Sequence, residues 1–259
     1  MSGPTPFSKK EKAAVAVALS WGAGLIDVVG YLTLYHAFVA HMTGNTVSTV
    51  LHGVERNWPD VLHRGVPIPA FFIGLLAGEI TLEISKRRNR HRVTARALGL
   101  EALCLAAFLI LGLLRFGATP HIREPSTPMF ILLVSLIAAA MGVQSASLRK
   151  IGALTIFTTF ITGTLTKLAT DLADYLFWLR DRTRGRGSRR LTRALRLSAR
   201  QESFQAVVLL SALYLAYVIG AFIGAIGFQH WGVAVAAAPL LLVLVAIVVD
   251  LIRPISPAP

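Results

Sequence analysis

The chain has 259 residues, of which 54% are hydrophobic, and its formal net charge is +13. With a mean hydropathy of +0.63 it is too apolar for a water-soluble domain, so the charge does not read as a nucleic-acid footprint. Its basic residues sit in a few loops between apolar stretches, as in polytopic membrane proteins.

Residues 1–12 carry Lys9, Lys10 and Lys12 ahead of the first apolar stretch, 13–35. That stretch is too long for a signal-peptide core and lacks a small-residue cleavage pattern, so a retained first helix is expected. Further spans of roughly 20 mainly apolar residues, enough for a hydrocarbon core of about 30 Å, run over 65–85, 97–114, 128–148, 204–228 and 232–252. Between them lie two anomalous stretches, 43–54 and 162–177. Each opens on Thr-Gly after a β-branched and aromatic run (38–42 and 155–161) that suits extended backbone better than helix. Cys104 is the only cysteine, which leaves no disulfide framework and no thiol metal site.

The chain repeats itself. Phe38-Val39-Ala40-His41-Met42-Thr43-Gly44-Asn45-Thr46 recurs as Thr158-Thr159-Phe160-Ile161-Thr162-Gly163-Thr164. The run 70–80, with Gly74 and Gly78, recurs at 216–226 with Gly220 and Gly224, and Gly24-Leu25-Ile26-Asp27 has a weaker partner in Gly142-Val143-Gln144-Ser145. Three matches in one order mark one unit used twice.

Loop charge orients the two units. The loop 85–97 carries Lys86, Arg87, Arg88, Arg90, Arg92 and Arg96, and 180–200 carries nine arginines, whereas 55–64, 116–127 and 229–231 are nearly neutral. Placing both basic loops in the cytoplasm requires the units to be inverted and each to cross an odd number of times. The expected fold is therefore an all-α polytopic membrane protein of two inverted-topology repeats, 13–115 and 128–252. It makes about six full crossings, and two broken or re-entrant half-helices open on Thr-Gly. An external loop, 116–127, joins the repeats, and the N-terminal tail 1–12, the basic loop 180–202 and the tail 253–259 are cytoplasmic. The segment 189–201, with Leu191, Ala194 and Leu195 among arginines, reads equally as a helix on the anionic inner leaflet or as a solvated loop.

In transporters, paired interruptions at corresponding places point to a central solute site. Half-helices starting at Thr43 and Thr162 would turn free N–H groups and positive dipole ends toward the bilayer centre. The threonines are expected to cap them, and Gly44 and Gly163 to admit a ligand or another backbone. The candidate solute-binding residues are Asp27, Thr43, Gly44, Asn45, Thr46, Gln144, Ser145, Thr162, Gly163 and Thr164. Tight helix packing is the competing use of Thr and Gly.

Asp27 is the only charge in its span and either binds a proton or cation or serves as a structural anion at the Thr43 helix start. Glu79, beside the 70/74/78 ridge, either pairs with a basic residue or lines a pathway, while Glu101 and Asp250 are expected to snorkel from span ends. Lys167, Asp171 and Asp174 share one stripe suited to ion pairing. His36 and His41 lack partners at metal-ligand spacing, and no phosphate loop, His-Glu-x-x-His helix or Gly-x-Ser-x-Gly elbow is present, so neither a metal, a cofactor nor an enzyme is expected.

The run from Gly24 to Tyr31 with Phe38–Thr46, and Met141-Gly142-Val143-Gln144 with Thr158–Thr164, closely resembles the YoaK family of uncharacterised bacterial membrane proteins. The resemblance spans nearly the whole chain, with one departure: Ser145 stands where the family more usually has Asn. It implies a multi-pass protein of the bacterial inner membrane and assigns no substrate. The expected function is a transporter or channel for a small anion or polar solute. The alternative is a scaffold or partner subunit docking through the basic loops. The bilayer and a small solute are the expected partners, nucleic acid is not, and a homo-oligomer is left open.

Overall fold

The computed structural model describes residues 7–88, 92–119, 126–147, 150–151, 154–156, 158–183, 196–199 and 201–255. They form α1 (Lys9–Thr33), α2 (Met42–Val54), α3 (Trp58–Gly65), α4 (Pro67–Arg87), α5 (Val93–Phe116), α6 (Thr127–Ser147), α7 (Ile161–Thr183), α8 (Glu202–Trp231) and α9 (Ala237–Ile252), with a 3-10 segment, Gly232–Ala236, joining the last two. A two-residue antiparallel ladder pairs Lys150 with Thr155 and Ile151 with Leu154. Five helical stretches are long and apolar enough to cross a membrane: Lys9–Thr33, Trp58–Arg87, Val93–Phe116, Thr127–Ser147 and Glu202–Ile252. Large apolar side chains face outward, among them Leu114, Phe222 and Val245, as expected where lipid is the solvent.

Ser8 and Glu11 close a reciprocal capping box at the start of α1, and the Glu11 carboxylate also receives Arg253 at 2.6 Å. That contact puts the start of α1 beside the end of α9. The Ala95 N–H donates to Asp250 at 2.7 Å, and Arg96 reaches the Ser85 hydroxyl, so the starts of α1 and α5 and the ends of α4 and α9 share one end of the molecule. The opposite end is aromatic. Tyr35 stacks on His63 at 3.9 Å between centroids, and both rings meet Phe130 edge-on.

The matched glycine runs meet crosswise. A Cβ on Gly24 of α1 would overlap the Tyr217 carbonyl of α8, and one on Gly220 of α8 would overlap the Trp21 carbonyl of α1. In the other pair, Gly142 of α6 lies against the Phe71 carbonyl of α4, and Gly74 of α4 against the Ala139 carbonyl of α6. Each glycine removes the side chain that would hold the two backbones apart. The central core gathers Leu25, Ile26, Leu98, Phe108, Phe130 and Met141 from three helices, α1, α5 and α6.

The sequence reading treats 55–64 as a plain connection, but the structure forms α3 there. Asn57 accepts the Asp60 N–H, and Pro59 suits the first turn. The short amphipathic helix then folds back on α2. The basic segment 189–201 lies largely outside the described residues; of it, Ser198 is buried and its hydroxyl meets Tyr175 at 2.9 Å.

Candidate functional site

After α1 the chain turns through Tyr35 (φ 49°) and His36 (φ 57°), both in the left-handed region that costs a non-glycine residue energy. The stacking of Tyr35 on His63 and the edge-on contact of His36 with Tyr31 hold the turn. The non-helical run 38–40 then descends beside α1. The Val39 and Ala40 N–H groups donate to Asp27 Oδ1 at 3.1 and 3.2 Å, and the Tyr217 hydroxyl donates to Asp27 Oδ2. Asn45 closes on Phe38 from the other side: its Nδ2 donates to the Phe38 carbonyl at 2.6 Å and its Oδ1 accepts the Phe38 N–H at 3.1 Å. Two buried side chains thereby satisfy backbone groups that no helix or sheet pairs. From Met42 the chain climbs again as α2 to α3, whose His63 stacks on Tyr35, so it leaves this break at the end by which it entered.

The second break uses hydroxyls and an amide. Gln144 Nε2 donates to the Leu19 carbonyl at 3.0 Å and to Thr158 Oγ1 at 3.2 Å. The Ser20 hydroxyl donates toward the Leu213 carbonyl (3.0 Å) and the Thr158 carbonyl (3.2 Å). Ser145 donates to the Met141 carbonyl and lies against the Thr159 hydroxyl. Thr164, at the position matching Asn45, donates both its N–H and its hydroxyl to the Phe160 carbonyl. From Ile161, α7 runs to the basic end, where Lys167 pairs with Asp171 at 3.2 Å; Asp174 of the same stripe is exposed.

The predicted site residues thus form two clusters along one helix. Asp27 holds the first break, and Leu19 and Ser20, about two turns back on α1, anchor the second, roughly 10 Å away at 1.5 Å per residue. Asp27, Asn45, Gln144, Ser145 and Thr164 are buried, whereas Thr43, Thr46 and Thr162 are exposed. α2 packs on α3 and α4 and α7 on α8; α2 and α7 do not form a packed pair.

Three readings are corrected. The helices start at Met42 and Ile161, one residue early, and no side chain caps α2; Thr46 bonds back to the Met42 carbonyl instead. Asp27 serves the non-helical run before α2, not the N–H groups of the helix. The space at Gly44 and Gly163 is taken from within: a Cβ would meet the His41 and Phe38 rings at Gly44 and the Phe160 ring at Gly163. The aromatic residues that favour an extended approach to each helix also fold over its first turn.

Glu79 is half-buried beside Gly78, which rests against Val143 and Ala146. Glu101 and Asp250 do not snorkel; both are 0% exposed. Asp250 accepts the Ala95 and Ile255 N–H groups, but neither oxygen of Glu101 has a hydrogen-bond partner. The sequence reading starts this span at 97, near its end. The helix begins at Val93, which carries Glu101 more than two turns inward, onto the stripe of Leu98, Ala102, Leu105 and Phe108. That helical spacing was the available signal. Among the described residues, no three His, Cys, Asp or Glu side chains gather as a metal site would require.

The model of the family described as "Protein of unknown function (DUF1275)" matches residues 15–249. The chain belongs to this family. It is also 34% identical over 158 residues to the UPF0700 transmembrane protein YoaK of Bacillus subtilis (strain 168), an alignment covering 60% of this chain and 65% of that protein. No solved structure matches it. The helices and this relationship together identify a multi-pass membrane protein.

Proposed function

We propose that the protein is a small-solute transporter or channel, rather than an enzyme, built from two inverted repeats that each cross the bacterial inner membrane three times. The observation that carries this reading is the pair of non-helical breaks, both held by buried polar side chains along α1. Backbone of this kind is tolerated at membrane depth only inside protein or beside a water-filled path. The crosswise glycine contacts, α1 with α8 and α6 with α4, are what an inverted duplication of one helix pair would produce. Each Thr-Gly segment re-enters, and the lysine- and arginine-rich end, with both termini, faces the cytoplasm.

On this reading Asp27, Asn45, Gln144, Ser145 and Thr164 are the frame. The solute meets the exposed hydroxyls of Thr43 and Thr162 and the uncapped N–H groups at the start of α2, which favour an anion or a polar oxygen. A solute-uptake screen in proteoliposomes tests this with Thr43→Val and Thr162→Val, which keep shape and remove a hydroxyl. A solute taken up by wild type and at least several-fold more slowly by each variant, at matched protein levels, is the expected outcome. No uptake above empty liposomes across anions and small polar solutes would defeat the reading. One observation favours the scaffold alternative: the polar side chains at both breaks are spent on bonds within the protein. A scaffold would pass the screen with no solute moved.

A further inference from the structure

Glu101 sits in the middle of a packed helix with 0% exposure, and neither carboxyl oxygen has a hydrogen-bond partner. This sets it apart from Asp27 and Asp250, each of which binds two backbone N–H groups. Those two carboxylates have a structural task; Glu101 has none. An unpaired polar group in a core is destabilising, and a leucine or methionine would fill the same space at lower cost. An orphaned buried group of this kind calls for an explanation in function.

The surroundings define the chemistry. α5 packs on α6, α9, α4 and the 3-10 segment. α6 and the 3-10 segment carry no ionisable side chain. α9 carries only Asp250, committed at the basic end. On α4 the ionisable groups are Glu79, Glu83, Lys86 and Arg87, with Glu83 and Arg87 paired on the exposed surface. Within α5, Arg96 bonds Ser85, Arg115 lies in the last turn, and the half-buried Cys104 is the ionisable neighbour one turn on. Among the described residues no cation pairs with it and no group of carboxylates gathers to share a metal, so the ligand this group suits is a proton.

We propose that Glu101 is a reversible proton-binding site: its carboxyl keeps the proton in this packed arrangement and gives it to water when the packing around the middle of α5 loosens. The O–H bond breaks, a water molecule takes the proton, and the carboxylate left behind is stable only while hydrated. Raising the pH therefore favours the loosened state and lowering it favours the packed one. Proton binding here stands apart from the solute reading, and either can hold without the other.

The test uses the full-length protein in lipid nanodiscs and a lipophilic carbodiimide, which modifies protonated carboxyls. Peptide mapping should find an adduct on Glu101 that falls at least tenfold from acid to alkaline pH. A second measurement is hydrogen–deuterium exchange of the α5 amides around Glu101, compared between wild type and Glu101→Gln so that the intrinsic pH dependence of exchange cancels. The ratio of rates should be near one in acid and rise several-fold in wild type's favour in alkali. An adduct indifferent to pH or a constant ratio would each show a permanently neutral core residue and overturn the proposal, and where the packed carboxyl takes no adduct the ratio decides. If Glu101→Gln does not fold, the wild-type labelling profile still decides.

Discussion

The two helix breaks do the same work with different chemistry. In the first, one carboxylate gathers two backbone N–H groups and a tyrosine hydroxyl, and one asparagine amide spans Phe38. In the second, hydroxyls and a glutamine spread the load over Leu19, Met141, Phe160 and Leu213. The comparison teaches that matched positions share the non-helical break and not its charge: where Asp27 gathers three donors on one carboxylate, Ser145 contributes a neutral hydroxyl. Concentrated bonding is strong and brittle, because losing one group strands several partners at once.

The sharpest way to break the comparison is to remove the hub of each cluster. Asp27→Ala strands the Val39 and Ala40 N–H groups and the Tyr217 hydroxyl, and should cost roughly 3–5 kcal/mol, the range for removing one member of a buried charged network. Gln144→Ala releases the Leu19 carbonyl and Thr158, both with neighbours still in reach, and should cost about 1–3 kcal/mol. Thermal unfolding of each variant in one detergent should rank them in that order. Equal losses would mean that the two breaks are held alike.

Much of this was legible in the sequence. The long apolar spans located the spanning helices to within a few residues, since lipid-facing helices are apolar on all sides and need no periodicity to be seen. The Thr-Gly duplication marked both breaks, and the aromatic and β-branched approach marked where the backbone leaves the helix. Partnership was not legible. The sequence does not say that Asn45 turns back to Phe38, which depends on the fold of the break between them, or that Ser20 of the first half supports Thr158 of the second, which depends on how distant helices pack. The same limit hid α3, which is short and forms where it can lie on α2, and it hid the depth of Glu101, which turned on where α5 begins. The glycines were legible as small but not for what fills them: the rings of Phe38, His41 and Phe160 arrive from a few residues away.

A smaller contrast separates Asn45 from Thr164. Asn45→Ala removes both bonds to Phe38 and leaves that residue's N–H and carbonyl unpaired beside a void, for a loss of about 2–3 kcal/mol. Thr164→Val keeps volume and the Thr164 N–H bond and removes only a hydroxyl whose acceptor has a second donor, for a loss of about 0.5–1.5 kcal/mol. Chemical denaturation, or proteolysis in the run 38–42, should show the first break loosening in Asn45→Ala while Thr164→Val stays near wild type. Cleavage appearing first at 156–160 in either variant would reverse the assignment.

The smallest expected effect sharpens the comparison most. Ser145 occupies the position that matches Asp27, yet its hydroxyl donates to the Met141 carbonyl of its own helix and meets Thr159 through a single contact. In Ser145→Ala the Met141 carbonyl keeps its place in the helix ladder and the Thr159 hydroxyl can rotate, so neither of these two groups is stranded. A loss of about 0.5–1.5 kcal/mol follows, against the several kcal/mol at Asp27. Asp27→Asn separates charge from shape in the same way. An asparagine carbonyl can still accept from Val39 and Ala40, and its amide can donate to a Tyr217 oxygen that turns to accept, so the bonding geometry survives at reduced strength. If concentrated bonding is the reason the first break is brittle, Asp27→Asn should fall between Asp27→Ala and Ser145→Ala in thermal stability. An asparagine variant as unstable as the alanine one would instead make the negative charge itself indispensable, and the two breaks would then differ in kind and not merely in how their bonds are shared.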